Sequence, residues 1–560
     1  MNPVGRVVIP DPGSVLLLTG GLLTSQERSL HEAFRKILPQ VLHSRHRWLD
    51  LKIKAVGAEP LLAWRQVLDR KVDGVSVRDL LDIEAGTPGE PAPSLTETVL
   101  AGALEACGIR VECLPLAEVF HGGERIAKAL AAAQCVMIST TYLHDLSELE
   151  PLLNRVRGGG RRIVLGGALT GSLKSDWPGH PEVDLVVVGY GEYVAPCLAQ
   201  WQIGGFAHLE APPGGRIEDR SHGKFLFAGS PQGQSLDDLP RPDWAATFRR
   251  RGRSFSRISY ESVRGCPYRC AFCNYPYLFD DNRFRYRSAE AIFADWRHYA
   301  RDLGVRRIEC LDSLFTMPPR RLKALCEGLE RENLGLSWSC YARADDLCDP
   351  ELVASMVRAG ASHVQIGVES GDQGQLDRMT KRCTVEKIHR ALDNCRKEGL
   401  ATIASLIVGY PGETGKTLEN TFRVLSETPP DFHFLATFSV RVPGVPVLSA
   451  ASRRLHALEV VPNQWAMAPY WRHGTMGCDE VGRHVRDFED RMMSESVSLN
   501  AALFHPWTDG YRPSFRARWL GWQRLAYERM QSRRWIFDLL HGWLDRKLAA
   551  DLAKTLPVVR

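Results

Sequence analysis

Five hundred and sixty residues, 44% hydrophobic and 24% charged with 48 Gly and 33 Pro, make a globular composition, which excludes disorder, a collagen-like repeat and a disulfide-stapled miniature. The 71 basic and 66 acidic residues leave a net charge of +5, and no long block of like charge occurs, so bulk electrostatics gives no support for nucleic-acid or membrane-surface binding. The longest apolar runs, such as residues 401–408, are strand-sized. The opening MNPVGRVVIPDPG does not make a signal peptide. A cytoplasmic protein with no nucleic-acid and no membrane partner is expected.

Five apolar β-type runs in the first 200 residues, at 14–18, 110–114, 135–139, 162–165 and 184–188, are separated by helical or loop-like stretches. Apolar strands alternating with helices indicate a parallel sheet covered on both faces. The expectation is an α/β, doubly wound, Rossmann-like domain over 1–201, with a helical insertion at about 25–90. Gly166-Gly167 and Gly189-Tyr190-Gly191-Glu192 fall just past strand ends, where open α/β sheets bind ligands and where tight turns also need glycine. Residues 202–250, rich in Gly, Pro and Asp, read as a linker.

From 251 to 445 the βα alternation resumes, with strands expected at 258–262, 307–311, 336–341, 362–368, 402–408 and 432–440 and helices at 289–302, 320–333 and 385–398. Six such units predict a partial (β/α)6 barrel of the TIM type, with its chemistry at the C-terminal strand ends. Residues 446–560 read as a mainly helical segment. Half of the fourteen tryptophans lie in the last fifth of the chain (Trp465, Trp471, Trp507, Trp519, Trp522, Trp535 and Trp543), as a cap packed on the barrel or as an aromatic substrate pocket.

Eleven of the fourteen cysteines are scattered singly, as buried cysteines are in a chain that forms no disulfides. The other three, Cys266, Cys270 and Cys273, follow the first barrel strand as C-x3-C-x2-C. Thiolates suit iron–sulfur clusters, and three of them can hold three irons of a [4Fe–4S] cube while leaving the fourth open. No fourth Cys or His follows at zinc spacing.

This spacing, with Phe272 before the third cysteine, resembles the radical S-adenosylmethionine (SAM) superfamily. The resemblance implies that Cys266, Cys270 and Cys273 ligate the cluster and that SAM chelates the open iron, to be split into methionine and a 5′-deoxyadenosyl radical. It implies SAM contacts from Asn274 beside the third cysteine, from Asp312 and Arg343 at the ends of the second and third strands, and from Glu369 and Ser370 at the end of the fourth. Asp312 is expected across from Arg343, with the guanidinium on the SAM carboxylate.

The N-terminal half resembles the cobalamin-binding domain of class B members in Pro93–Glu97 and in the strand-end residues Ser139, Thr140, Thr141, Gly166, Gly167, Gly189, Gly191 and Glu192. These are the implied cobalamin contacts. The D-x-H-x-x-G motif by which many cobalamin domains place a histidine under cobalt is missing, as is usual in this class, since Asp431-Phe432-His433 lacks the glycine and lies in the sixth barrel strand. Cobalamin is therefore expected without a histidine ligand.

The resemblance implies a cobalamin-dependent radical SAM C-methyltransferase acting on an unactivated carbon of a natural-product or peptide precursor, served by an external one-electron reductant of flavodoxin or ferredoxin type. The alternatives are a rearrangement or cyclisation without methyl transfer, and a non-catalytic cobalamin or redox sensor. No residue is assigned a catalytic role beyond cofactor binding.

Overall fold

The computed structural model describes residues 14–22, 46–86, 92–230, 235–440, 442–461 and 468–556. The opening segment read against a signal peptide and Trp465 lie outside the described residues. The chain divides into two compact units, one of residues 1–43, 92–253 and 275–283, the other of 44–91, 254–274 and 284–560.

The first unit is built on β1 (Ser14–Thr19), β2 (Arg110–Pro115), β3 (Ala133–Ser139), β4 (Arg162–Gly166) and β5 (Leu185–Val188), followed by the hairpin β6 (Arg216–Arg220) and β7 (Gly223–Phe227). The sheet order is β2-β1-β3-β4-β5-β7-β6, parallel throughout except for the β6–β7 pair. The doubly wound sheet is as expected, and its 2-1-3-4-5 order is the flavodoxin-like variant, whose switch point lies between β1 and β3. Strand β1 is buried at every position, which is why it reads as a continuous apolar run and not as an alternation. Val15, Leu17, Met137, Val164 and Val187 form one core with Leu104, Val194 and Leu198 of the covering helices.

The expected linker at 202–250 is corrected by the structure. It carries the β6–β7 hairpin, whose Phe225 and Phe227 are buried at the sheet edge, and the helix Trp244–Arg251. Of the residues that suggested a linker, Gly204, Gly205, Pro213 and Gly214 sit in turns, while Pro231 and Gly233 lie outside the described residues. The helix is tied to the helix Leu95–Ala106 by Arg251, whose Nη2 lies 2.6 Å from Glu97 Oε2, and by Arg250, 2.7 Å from Glu105 Oε2.

The second unit holds β8 (Arg257–Tyr260), β9 (Arg307–Cys310), β10 (Ser337–Arg343), β11 (Ala361–Glu369), β12 (Ala401–Val408), β13 (Phe432–Thr437) and the short β14 (Leu499–Asn500). All are parallel and ordered as in the sequence, the arrangement of a partial barrel wound in one direction. The described part of the expected insertion, residues 46–86, belongs to this unit and not to the first. Its helix Arg47–Leu68 packs against the C-terminal helices. Trp64, Trp507, Trp519 and Trp522 share a core with Ala401, Ile403 and Phe432, near the N-terminal ends of β12 and β13. These indoles therefore seal the bottom of the barrel, as a cap does, and do not line a substrate pocket at its mouth. No described helix is long and apolar enough to cross a membrane.

Candidate cluster and cofactor site

The loop that carries the three cysteines is shaped by its neighbours. At the exit of β8, the buried Ser262 donates its backbone N–H to Asp312 Oδ1 at 2.6 Å and its hydroxyl to Oδ2 at 3.1 Å. Residues 263–264 then pair antiparallel with 285–286, and Gly265 turns the chain at φ +69°. Ala271 is held on both sides: its N–H donates to the Met379 carbonyl at 2.8 Å, and its carbonyl accepts from the Val447 N–H at 3.0 Å. Cys273 N–H donates to the Cys270 carbonyl at 3.1 Å, closing the last turn.

Cys270 is buried, and Cys266 and Cys273 are half-buried. Among the described residues no three His, Cys, Asp or Glu side chains gather around the position of one metal ion. A [4Fe–4S] cube takes one thiolate per iron, so its ligands must surround a cluster and do not converge on a point. Three thiols spread over one pinned loop fit that demand. Asn274 adds an orphan, since its Oδ1 is buried with no hydrogen-bond partner. A buried acceptor left unpaired is costly, and a bound ligand with a donor group would satisfy it.

Arg343 closes β10 with its guanidinium 3.8 Å from Cys270 Sγ and over the Tyr268 ring, 3.8 Å from its centroid. Nε pairs with Asp345 at 2.9 Å, and Nη2 donates to the Lys381 carbonyl at 2.5 Å. Burial works against the charge, but Asp345 and Cys270 outweigh it and raise the pKa. Arg343 is thus a fixed cation beside Cys270, with most of its donors engaged by protein.

Glu369 ends β11 at φ +64°, beside an irregularity in the β11–β12 register. Its Oε1 lies 2.8 Å from Lys381 Nζ, and both side chains are buried. That ammonium also stands 5.8 Å from the centre of the Phe272 ring. Lys381 was missed in the sequence because it lies on a loop, twelve residues past Glu369, where no periodicity marks it.

Two expected contacts are committed elsewhere. Asp312 is fully buried with both oxygens on Ser262, whose hydroxyl also accepts from Arg321 Nη1 at 3.1 Å. Desolvation, helped by Glu261, raises its pKa to about 7. Arg343 pairs with Asp345, and Asp312 knots the exits of β8 and β9. Ser370 is also buried, with its hydroxyl 3.2 Å from Thr421 Oγ1 and accepting from the Asp372 N–H.

In the first unit, the expected cobalamin residues leave one edge of the sheet. Ser139 of β3 is the register partner of Gly166 of β4, and Gly189 directly follows β5. The buried Thr140 staples the strand ends, with N–H and hydroxyl both donating to the Gly166 carbonyl at 2.7 and 2.8 Å. Ser139 Oγ donates to Thr141 Oγ1 at 3.1 Å, and Thr141 is exposed. Gly167, at φ +108°, leaves no room for a side chain, since a Cβ would stand 2.8 Å from the Thr141 amide nitrogen. Gly189 lies against Ala228 and the Phe279 carbonyl, and Gly191 against Leu100, so these two have packing reasons of their own. Glu192 is half-buried in the first turn of the helix Gly191–Ile203. An edge of small residues and hydroxyls at parallel strand ends fits a bulky polar cofactor.

His433 belongs to the second unit and not to the unit that carries that edge. It is fully buried in β13, with Nδ1 2.7 Å from Ser498 Oγ and Nε2 2.9 Å from Glu489 Oε2. It is a structural residue of the second unit, as the missing glycine implied. Of the other cysteines, Cys113, Cys135, Cys310 and Cys340 are buried, and burial raises each thiol pKa.

Residues 260–425 match the profile of the Radical SAM superfamily. The chain is 27% identical over 267 residues to the anaerobic magnesium-protoporphyrin IX monomethyl ester cyclase of Rubrivivax gelatinosus, covering 45% of this chain and 46% of the relative. It is 26% identical over 273 residues to an uncharacterised methyltransferase of Pyrococcus horikoshii, covering 47% and 56%. The chain therefore spans about half the length of the curated relatives it matches. Among solved structures it resembles the radical SAM methyltransferase TsrM from Kitasatospora setae, solved with cobalamin and a [4Fe–4S] cluster, at a TM-score of 0.59 and 17% identity over 79% of this chain and 97% of that one. The three cysteines, on the loop after the first strand of a singly wound barrel, thus fall in the segment that matches the Radical SAM superfamily, and the fold of the chain is similar to that of TsrM.

Proposed function

We propose that the protein is a cobalamin-dependent radical SAM C-methyltransferase that acts on an unactivated carbon of a natural-product or peptide precursor. The observation that carries this reading is the pinned Cys266–Cys273 loop on a radical SAM barrel, in a chain that also has a doubly wound unit with a small-residue strand-end edge. Cys266, Cys270 and Cys273 would hold the [4Fe–4S] cluster. Ser139–Thr141, Gly166, Gly167 and the 189–192 turn would hold cobalamin without a histidine. When bound, the cluster supplies the reducing electron, SAM the methyl group and the 5′-deoxyadenosyl radical, and cobalamin the means of carrying the methyl.

The chain's own residues hold and orient these groups. Arg343 offsets thiolate charge at Cys270, which makes three anionic ligands on one loop less costly. Asn274 Oδ1, buried without a partner, would accept a hydrogen bond from SAM. Glu369, held in place by Lys381, offers a fixed carboxylate at a strand end, where substrates and cofactors of parallel barrels bind. Asp312 and Ser370 act at one remove, through the loops they knot. The electron comes from a flavodoxin- or ferredoxin-type reductant.

The test is anaerobic turnover with methyl-deuterated SAM. Reduced, reconstituted protein supplied with its precursor should form 5′-deoxyadenosine and S-adenosylhomocysteine together and carry the label into product. The relative named as a cyclase favours a second reading, ring closure without methyl transfer. Under that reading 5′-deoxyadenosine forms without S-adenosylhomocysteine and the product stays unlabelled.

A further inference from the structure

The last helix, Arg534–Thr555, is apolar on two sides. His541, Leu544, Leu548 and Leu552 are buried against the protein. On the other side Trp535, Ile536, Leu539, Leu540 and Trp543 are exposed at 65%, 47%, 66%, 40% and 42%. At 100° per residue these five span an arc of about 140°, one continuous face and not scattered surface residues. Trp48 of the helix Arg47–Leu68 extends the face, meeting Trp543 edge-on at 5.3 Å.

The charge around this face is one-sided. Arg546 and Lys547 continue the same arc one turn beyond Trp543, and both are exposed. Arg47 stands over the Trp48 ring at 5.1 Å, and Lys547 Nζ approaches the same ring at 5.9 Å. All three carboxylates of the helix are engaged by the rest of the unit. Asp538 pairs with Arg486 at 2.7 Å, Asp545 with Lys52 at 2.6 Å, and Asp551 accepts from the Tyr470 hydroxyl at 2.6 Å. The outward surface thus offers indole and aliphatic groups bordered by cations that make no ion pair among the described residues.

We infer that this face docks on an anionic lipid surface, with Trp535, Leu539 and Trp543 entering the acyl boundary and Arg47, Arg546 and Lys547 meeting phosphate headgroups. Interfacial helices have this composition, with Trp and Leu on the buried side and Lys or Arg beside it. Indoles also settle at the headgroup level, where one edge is apolar and the other wet. The net charge of +5 averages the whole chain and hides this local arrangement. Docking here would serve an enzyme whose substrate resides in, or is presented by, a membrane.

The test is sedimentation of the full-length protein with vesicles of phosphatidylcholine alone and with 30% phosphatidylglycerol (~100 nm extruded). Binding should be at least about tenfold tighter to the anionic vesicles and weaken with salt. Trp535→Glu with Leu539→Glu should lower it by at least about tenfold, and Arg546→Glu with Lys547→Glu should abolish the preference for anionic lipid. Because all four positions are exposed, the thermal midpoint should not move, which separates lost docking from lost folding. No sedimentation with either vesicle, or equal binding by the variants, overturns the proposal. So does a concentration-dependent dimer that Leu539→Glu dissolves without any vesicle binding, since it assigns the face to a second copy of the chain.

Discussion

Glu369 and Lys381 are joined by a 2.8 Å ion pair, buried beside the aromatic ring of the cysteine motif. Removing one partner strands the other charge in a poorly solvated place, at a cost of about 3–5 kcal/mol. Lys381→Met should therefore lower stability far more than an average substitution, and the double variant Lys381→Met with Glu369→Leu should recover most of it. Denaturant midpoints of the three proteins check this. A double variant as unstable as the single one would mean that the pair has other partners.

Iron content tests the ligand assignment. Replacing Cys266, Cys270 and Cys273 together with Ala should remove the iron–sulfur absorbance and the iron of the anaerobically reconstituted protein, expected at about four per chain. Cys310→Ala and Cys340→Ala should leave the iron unchanged, because both thiols are buried in the barrel core. Iron quantification and the visible spectrum of each variant decide the matter.

Asp312 gives a pH signature. Its pKa, raised by burial to about 7 in the fold from the usual aspartate value of 3.8, means that the folded state holds a proton the unfolded chain gives up. Its contribution to stability is then fully present below about pH 4 and lost as the pH rises through about 7. Asp312→Asn keeps an acceptor for the Ser262 N–H and offers an amide donor to its hydroxyl, but cannot ionise. The thermal midpoint of the variant should fall less than that of the wild type between about pH 5 and pH 8. Parallel curves would show that Asp312 carries no such linkage.

The cobalamin assignment is tested at the metal and at His433. The Co(II) form of the bound cofactor should show no nitrogen superhyperfine splitting in its electron paramagnetic resonance spectrum. His433→Gln should leave that spectrum and the cobalamin content unchanged. It should lower stability by about 1–3 kcal/mol, since the buried Ser498 and the half-buried Glu489 lose a partner. Splitting from an axial nitrogen that disappears in this variant would make His433 a ligand.

Sequence and structure agree best where physics is local. The strands expected at 14–18 and 402–408 appear as Ser14–Thr19 and Ala401–Val408, and the helices at 289–302 and 385–398 appear with the same bounds. Buried parallel strands and capped amphipathic helices write their own pattern. The hairpin Arg216–Phe227 was invisible because its first strand is a polar edge strand, RIEDR, without the apolar run that marks the others. The allocation of residues 46–86 was illegible for another reason, as only partners hundreds of residues away decide it. The cysteine triplet was readable because chemistry fixes its spacing. The Asp345 carboxylate that occupies Arg343, and the Ser262 groups that occupy Asp312, are facts of tertiary contact that no motif records.

That distant partnership bears on how the protein is made. Glu84 Oε2 accepts from Trp519 Nε1 at 2.6 Å across 435 residues of chain, and the helix Arg47–Leu68 is covered by the helices Arg516–Ser532 and Arg534–Thr555. On a ribosome adding about 5–20 residues per second, that helix emerges on the order of tens of seconds before its partners. During that interval Trp64, Val67 and Leu68 lack the part of their core that Trp519, Leu520, Trp522 and Met530 supply. A chaperone that holds apolar segments should therefore engage the nascent chain early and release it only after the C-terminus is complete. Chains truncated before Arg516 should stay bound to it or aggregate, while full-length chains run free.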